Sequence, residues 1–327
     1  MTKHEQMTLA LLADGKAYSL QEISTRLQMP PSTVKQCLRT LQTLGVDISV
    51  LMNHRYRLPA PLELLAKEQI STRLNEISRS ALNQLEVHAV LDSTNDYLLS
   101  RAREHDVGSI ACFSELQRAG RGRLGRRWLS PLGAGLFGSL LWQFKVPATA
   151  LSGLSLAIGI AVARTLQRLG VEAVGLKWPN DILWCERKLG GILLESGDNN
   201  GVFFVVIGVG INIALPPQAV TLIDQPWVDL QEVLGTGRVS RNHLAAALVN
   251  ALVEVLLPFE QGGFADLSAE WARFDQITGR RVCLHLPNKT VVGIVRGVDT
   301  QGALLLESSD GQVKPYRGGE TSLRLES

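Results

Sequence analysis

The chain has 327 residues, 45% hydrophobic and 20% charged, with a formal net charge of +2. These values suit two or three globular domains with a buried core, and they give no global field that demands a polyanionic partner. The charge is uneven, however: residues 1–60 carry seven Lys/Arg against four Asp/Glu, which leaves the remainder at −1, and a small basic N-terminal unit points towards nucleic acid.

Residues 5–13 predict a short apolar helix, ended by Asp14-Gly15-Lys16. Ser19, with Glu22 three residues on, forms a capping box for a helix over Leu20–Leu27. Met29-Pro30-Pro31-Ser32 forces a turn, because proline ends helices, and Ser32 can cap the next one. Val34, Cys37, Leu38, Leu41 and Leu44 recur at helical spacing over Thr33–Leu44, and Gly45 stops that helix. Strands over Ile48–Met52 and Arg55–Leu58 follow, around a glycine-free Asn53-His54. This order is that of a winged helix-turn-helix, in which the second helix of the pair enters the DNA major groove. Its exposed face offers Thr33, Lys35, Gln36 and Arg39, and the wing offers His54, Arg55 and Arg57. A helical docking domain is the alternative without DNA.

Pro59-Ala60-Pro61 reads as a linker, which closes the first unit at 1–62. Beyond it the pattern predicts a helix over Leu65–Ser80, a strand over Val87–Leu91, and a helix over Asp96–Glu104 capped from Asp92-Ser93-Thr94-Asn95. Strands Ile110–Glu115 and Gly135–Phe144, helix Leu151–Leu169 and strand Ala173–Lys177 come next. Ile182–Cys185 then pairs with Gly190–Glu195, and Val202–Val209 runs into Gly210-Ile211-Asn212. Helices over Arg241–Phe259 and near Leu267–Phe274 complete a unit at 63–273. Strict βαβαβ alternation is missing, so a mixed sheet is expected rather than a doubly wound one. From Arg281 the short runs Arg281–Leu286, Val291–Val298, Ala303–Glu307 and Val313–Tyr316 suggest a small β-barrel over 274–327. The expected class is α+β.

Cys37, Cys112, Cys185 and Cys283 make no C-x-x-C pair, and six scattered histidines have no ligand spacing. Neither a zinc site nor a disulfide framework is expected. The N-terminus has no apolar signal core, and the apolar stretch near Leu151–Leu166 is broken by Ser155 and Arg164. A reduced, cytoplasmic protein without membrane spans is the expectation.

Chemistry concentrates in Gln117-Arg118-Ala119-Gly120-Arg121-Gly122-Arg123-Leu124-Gly125-Arg126-Arg127-Trp128, with five arginines in ten residues. Glycine lets a loop fold closely around a ligand, and arginine supplies fixed charge for phosphate or carboxylate. It is neither a P-loop nor a dinucleotide fingerprint. Taken alone, a solvated or nucleic-acid-binding basic loop fits equally well. Two further segments stand at strand ends, where ligands usually sit: Lys177-Trp178-Pro179-Asn180-Asp181 and Arg187-Lys188-Leu189-Gly190-Gly191-Ile192-Leu193-Leu194-Glu195.

In this order and separation, the three segments resemble the bacterial biotin–protein ligase family. The resemblance extends to Asp92-Ser93-Thr94-Asn95, Gly208-Val209-Gly210-Ile211-Asn212, Gly302–Glu307 and Gly318-Gly319-Glu320, so it spans essentially the whole chain. With the winged helix it is similar to the bifunctional subgroup that also represses the biotin operon. The resemblance implies a class II synthetase-like central domain and an SH3-like C-terminal barrel. It implies biotin activation by MgATP to biotinyl-5′-AMP, then transfer to a lysine of the biotin carboxyl carrier protein of acetyl-CoA carboxylase. Ser93, Thr94, Asn95, Gln117 and Gly122 would bind biotin, with Arg121, Arg123 and Lys188 around the reacting carboxylate and phosphate. Asp181 would orient Lys188 or take the acceptor lysine's proton. Asn212 would lie on the nucleotide side, and Trp227, in the irregular segment from Leu215 to Trp227, near the adenine. The adenylate-bound form would be a homodimer on operator DNA. A ligase whose N-terminal domain no longer regulates, and a biotin sensor without catalysis, are the alternatives. Arg118, and Leu124 in place of a basic residue, depart from the family pattern without touching the Gly-Arg-Gly-Arg core.

Overall fold

The structure is a computed structural model describing all residues except 105–107, 200, 218–220, 236–238, 320 and 326–327. Gln218 of the proline-rich segment and Glu320 of the Gly-Gly-Glu motif therefore lie outside the described residues.

The N-terminal unit is built from α1 (Lys3–Leu12), α2 (Leu20–Leu27) and α3 (Pro31–Thr43), with strands β1 (Tyr18–Ser19), β2 (Ser49–Leu51) and β3 (Arg55–Arg57) in the order β1-β3-β2. The Ser19–Glu22 capping box forms at both of its bonds. Ser32 does not cap α3: the helix starts two residues earlier than expected, at Pro31, with no side-chain cap. Proline fits this first position because its missing N–H would have no partner there. The wing turn forms without glycine, through positive φ at Asn53 (64°) and His54 (55°). Asparagine and histidine tolerate that region better than most residues. Ile23, Val34, Leu38 and Leu41 centre a core of their own.

The central unit carries seven strands: β4 (Gln84–His88), β5 (Ile110–Ser114), β6 (Gly135–Phe144), β7 (Val174–Lys177), β8 (Asp181–Trp184), β9 (Arg187–Asn199) and β10 (Val202–Asn212). Their order is β4-β5-β6-β10-β9-β8-β7, with β4 and β5 parallel and the other pairs antiparallel. The expected helix over Leu65–Ser80 is instead α4 (Lys67–Ser71) and α5 (Glu76–Ala81), because Asn75 caps a fresh start by accepting the Ser78 amide at 2.7 Å. Helix α6 (Thr94–Arg101) covers one face of the sheet through Leu98. Helix α7 (Leu154–Arg168) and the helix Arg241–Gly262 cover the other. The latter is long and apolar enough to cross a membrane, but Leu244, Leu248, Leu252 and Leu256 are buried in the core.

The C-terminal unit is antiparallel: β11 (Arg281–Leu286), β12 (Lys289–Val298), β13 (Leu304–Glu307), β14 (Val313–Tyr316) and β15 (Ser322–Leu325), ordered β14-β13-β12-β11-β15. A fifth strand, β15, joins the four expected runs and pairs with β11 from Val282↔Leu325 to His285↔Ser322. Val282, Leu284, Val295 and Leu304 join the central core, so the two units share one apolar interior.

The linker is tied down as well. Leu62 donates its amide to Ala13 at 2.8 Å, and Leu62, Leu64 and Leu132 pack on the N-terminal core. Behind them a buried ion pair joins Arg241 to Glu115 at 2.6 Å. The other Glu115 oxygen accepts the Leu65 amide, and the Glu63 carboxylate accepts the Arg241 amide at 2.6 Å.

Candidate active site

A cleft of about 910 Å³ opens between the central sheet, the arginine–glycine loop and β15. Ser93, Thr94, Asn95, Gln117, Arg121, Gly122, Arg123, Asp181 and Lys188 all line it. Asn212 and Trp227 do not. They line a smaller cavity of about 80 Å³, which shares Lys188, Arg127 and Trp128 with the large one.

The floor is polar, uncharged and deeply buried. Ser93 caps α6 by accepting the Asp96 amide at 3.3 Å, which fixes Thr94 and Asn95 in the first turn. Gln117 Oε1 accepts from the Thr94 amide at 2.8 Å and from its hydroxyl at 3.1 Å, while Gln117 Nε2 donates to Ser130 at 2.9 Å. The Ser139 hydroxyl reaches Thr94 Oγ1 and Asn95 Oδ1, each at 2.6 Å. Such a network presents fixed donors and acceptors to a neutral polar ligand. Gly208 is bare because a Cβ there would stand 2.3 Å from Asn95 Oδ1. At Gly122 the nearest protein atom to an added Cβ is 3.5 Å away, so the protein itself does not demand glycine; the space faces the cleft.

One wall is cationic. The β7–β8 hairpin sets Lys177 opposite Asp181, and β9 brings Lys188 beside them. Lys188 Nζ is 2.6 Å from Asp181 Oδ1 and 5.5 Å from the centre of the Trp128 ring. Lys177 Nζ is 3.8 Å from Asp181 Oδ2. Burial pushes Lys177 below its ordinary value; Asp181 opposes that shift, while Lys188 and Arg126 add to it. One carboxylate thus serves two ammonium groups, leaving net positive charge for an anionic ligand.

The two central arginines line the same cleft and are each engaged with protein groups. Arg121 Nη2 sits 2.6 Å from both Glu195 and Asp96. Arg123 donates to Asn180 at 3.2 Å and to the carbonyls of Gly318, Gly319 and Thr321 in the segment leading into β15. Burial holds its guanidinium below the usual arginine range. Asn212 is buried and spends its amide on the backbone. Its Nδ2 donates to the Val228 carbonyl at 3.1 Å and the Lys188 carbonyl at 3.4 Å, stapling the strand that carries Lys188 to the segment that carries Trp227. Lys188 and Trp227 form a parallel bridge there.

Sequence reasoning assigned no role to Ser130, Ser139 or Glu195, each of which orients an expected ligand residue. Ser139 lies in an apolar run that reads only as a buried strand; the position of Glu195, at the end of the third motif, was the available signal. Among the described residues no three His, Cys, Asp or Glu side chains gather to hold a metal.

On the N-terminal unit, Lys35, Gln36 and Arg39 are exposed along α3, and Thr33 is half-buried. Arg55 is committed inside the domain: it donates to the Ala17 carbonyl at 2.6 Å and pairs with Glu22 at 3.1 Å. His54 and Arg57 remain exposed on the wing.

Residues 87–212 match the model of the biotin/lipoate A/B protein ligase family, residues 277–324 that of the biotin protein ligase C-terminal domain, and residues 8–46 that of the IclR helix-turn-helix domain. The chain is 42% identical over 317 residues to the bifunctional ligase/repressor BirA of Escherichia coli and of Salmonella typhimurium, covering 97% of this chain and 96% of each relative. It is 35% identical to a biotin–[acetyl-CoA-carboxylase] ligase of Mycobacterium tuberculosis, over 75% of this chain and 91% of that one. Among solved structures it resembles the Aquifex aeolicus biotin protein ligase in complex with biotin and ATP. There the TM-score is 0.63 at 28% identity, over 75% of this chain and 100% of that chain.

Proposed function

The chain belongs to the biotin protein ligase family, and from that premise we propose that it is both a ligase and a repressor. Biotin and ATP give biotinyl-5′-AMP and pyrophosphate. The biotinyl group then passes to a lysine of a biotin carboxyl carrier domain. The observation that carries the enzymatic half is the Lys177–Asp181–Lys188 group at the end of a neutral polar floor. The ureido head of biotin suits that floor, and its carboxylate then lies towards the lysines.

The first step brings two anions together. A carboxylate about 4 Å from a phosphate oxygen costs about 4 kcal/mol at an effective dielectric near 20. A preorganised Lys188 offsets that repulsion without reorganising at the moment of reaction. Asp181, already on Lys188, is assigned the orienting role. Attack by the carboxylate oxygen on the α-phosphorus expels pyrophosphate; attack by the acceptor amine on the acyl carbon then expels AMP. Arg121 and Arg123 hold the arginine–glycine loop across the cleft, where its backbone can meet the adenylate. Trp227 and the smaller cavity take the adenine side, and Asn212 acts there through the backbones it staples. Mg²⁺ arrives on the phosphates of ATP as part of the substrate.

The regulatory half assigns Thr33, Lys35, Gln36 and Arg39 to an operator. The adenylate-bound protein forms a homodimer that offers two winged helices to a two-fold site. The formed wing turn removes the main argument for a non-regulatory N-terminal domain. We place the protein in the cytoplasm, with no membrane partner.

Incubation with biotin, MgATP and a biotin carboxyl carrier domain tests the ligase; absence of incorporated biotin sinks it. Sedimentation and footprinting with and without biotin and ATP test the repressor, which requires both dimer fraction and operator protection to rise.

A further inference from the structure

We infer that Glu195, which does not line the cleft, is a positioning residue that fixes which end of the Asn95 amide faces the biotin head. The inference rests on the biotin reading above. Asn95 is 3% exposed in the first turn of α6. On one side its amide meets the Glu195 carboxylate at 2.9 Å and the Leu193 carbonyl at 3.4 Å. Both partners are acceptors only, so the atom facing them is nitrogen, and both of its protons are used. On the other side Oδ1 lies 2.6 Å from the Ser139 hydroxyl and against the bare backbone of Gly208, which also lines the cleft.

Asn95 therefore offers the cleft one spare acceptor and no donor, the polarity that a ureido N–H requires. Ser139 cannot enforce this orientation, because a hydroxyl donates or accepts as needed. The 3.4 Å Leu193 contact is weak. Glu195 supplies the charge-assisted bond that makes the flipped amide costly. Arg121 holds Glu195 from behind at 2.6 Å and is itself tied to Asp96 in α6. The chain Arg121–Glu195–Asn95 thus links the arginine–glycine loop to the recognition floor. In this arrangement Arg121 serves the biotin head through Glu195.

The test is biotin titration calorimetry on the full chain without ATP, with thermal melts to verify folding. Glu195→Ala is expected to weaken biotin by about 10-fold or more, as for a lost hydrogen bond to a charged group. Glu195→Gln, which keeps an acceptor for Asn95, is expected to stay within about 3-fold, and Glu195→Ala combined with Asn95→Ala to bind no more weakly than Asn95→Ala alone. Asn95→Asp sets two carboxylates face to face and weakens binding; adding Glu195→Gln restores it, because the glutamine amide then donates. That rescue keeps the idea testable even where Glu195→Ala fails to fold. Additive losses in the alanine pair, equal losses in Glu195→Gln and Glu195→Ala, or an unrescued Asn95→Asp overturn it. Failure of the unaltered protein to bind biotin would instead sink the underlying reading.

Discussion

Arg123 donates to the carbonyl of Gly319 at 2.6 Å across 196 positions of sequence. The same guanidinium reaches Gly318, Thr321 and Asn180. A motif arginine thus latches the ligand loop to the entrance of β15, and β15 contributes Leu323 to the cleft wall.

Arg123→Gly breaks that latch and leaves carbonyls short of a donor, at a cost of about 2 kcal/mol. We expect a lower urea midpoint, faster proteolysis near residues 317–325, and premature release of the adenylate. Released adenylate would label exposed lysines on unrelated proteins. Labelling confined to the carrier domain, with an unchanged midpoint, would refute the assignment.

Lys188→Ala is expected to lower adenylate formation by about 10²–10³-fold, as for loss of one preorganised group at developing charge. Asp181→Asn should cost less, since it leaves the ammonium in place but loosens its orientation. Pyrophosphate release with labelled ATP measures both. A near-normal rate in Lys188→Ala removes it from the mechanism.

Lys177 gives a pH signature. Its folded pKa lies below the ordinary 10.5 because of burial, so the folded state releases this proton before the unfolded chain does. In that window the unfolded state binds more protons, and stability rises with pH. The cost is complete below the folded pKa and is recovered as pH climbs to about 10.5. The unaltered protein should therefore gain on Lys177→Met as pH rises towards 10.5 in urea denaturation. Parallel pH curves would contradict the burial argument.

Arg39 and Arg55 separate a DNA contact from a structural one. Arg39→Ala should weaken operator binding and lower the magnitude of its salt slope by about 1, with unchanged melting. Arg55→Ala should melt the wing more readily, because Ala17 and Glu22 lose their partner. Any loss of affinity there should follow stability rather than salt. The reverse pattern would exchange their roles.

The sequence made the local devices legible. The Ser19–Glu22 box, the Ser93 cap and the Lys177–Asp181 turn each depend on residues a few positions apart, where spacing determines geometry. Long-range partners were not legible in the same way. Nothing in local spacing could say that Gly318 and Gly319 would receive Arg123, or that Glu195 would stand behind Asn95. Arginine spacing indicated a ligand clamp. The structure shows Arg121 engaged with Glu195 and Asp96, and Arg123 with Asn180 and the carbonyls ahead of β15. Arg55 was read from charge alone, and charge does not reveal an acidic partner within the same domain such as Glu22.

The seam between Leu62 and Leu132 sets a condition on shorter ligases. A Cβ on Gly133 would stand 2.5 Å from Leu62, so the exit of the arginine–glycine loop is moulded against the DNA-binding unit. Cutting away residues 1–62 would expose Leu132 to water. A stand-alone catalytic version would need a polar side chain at 132, or it would self-associate through the scar.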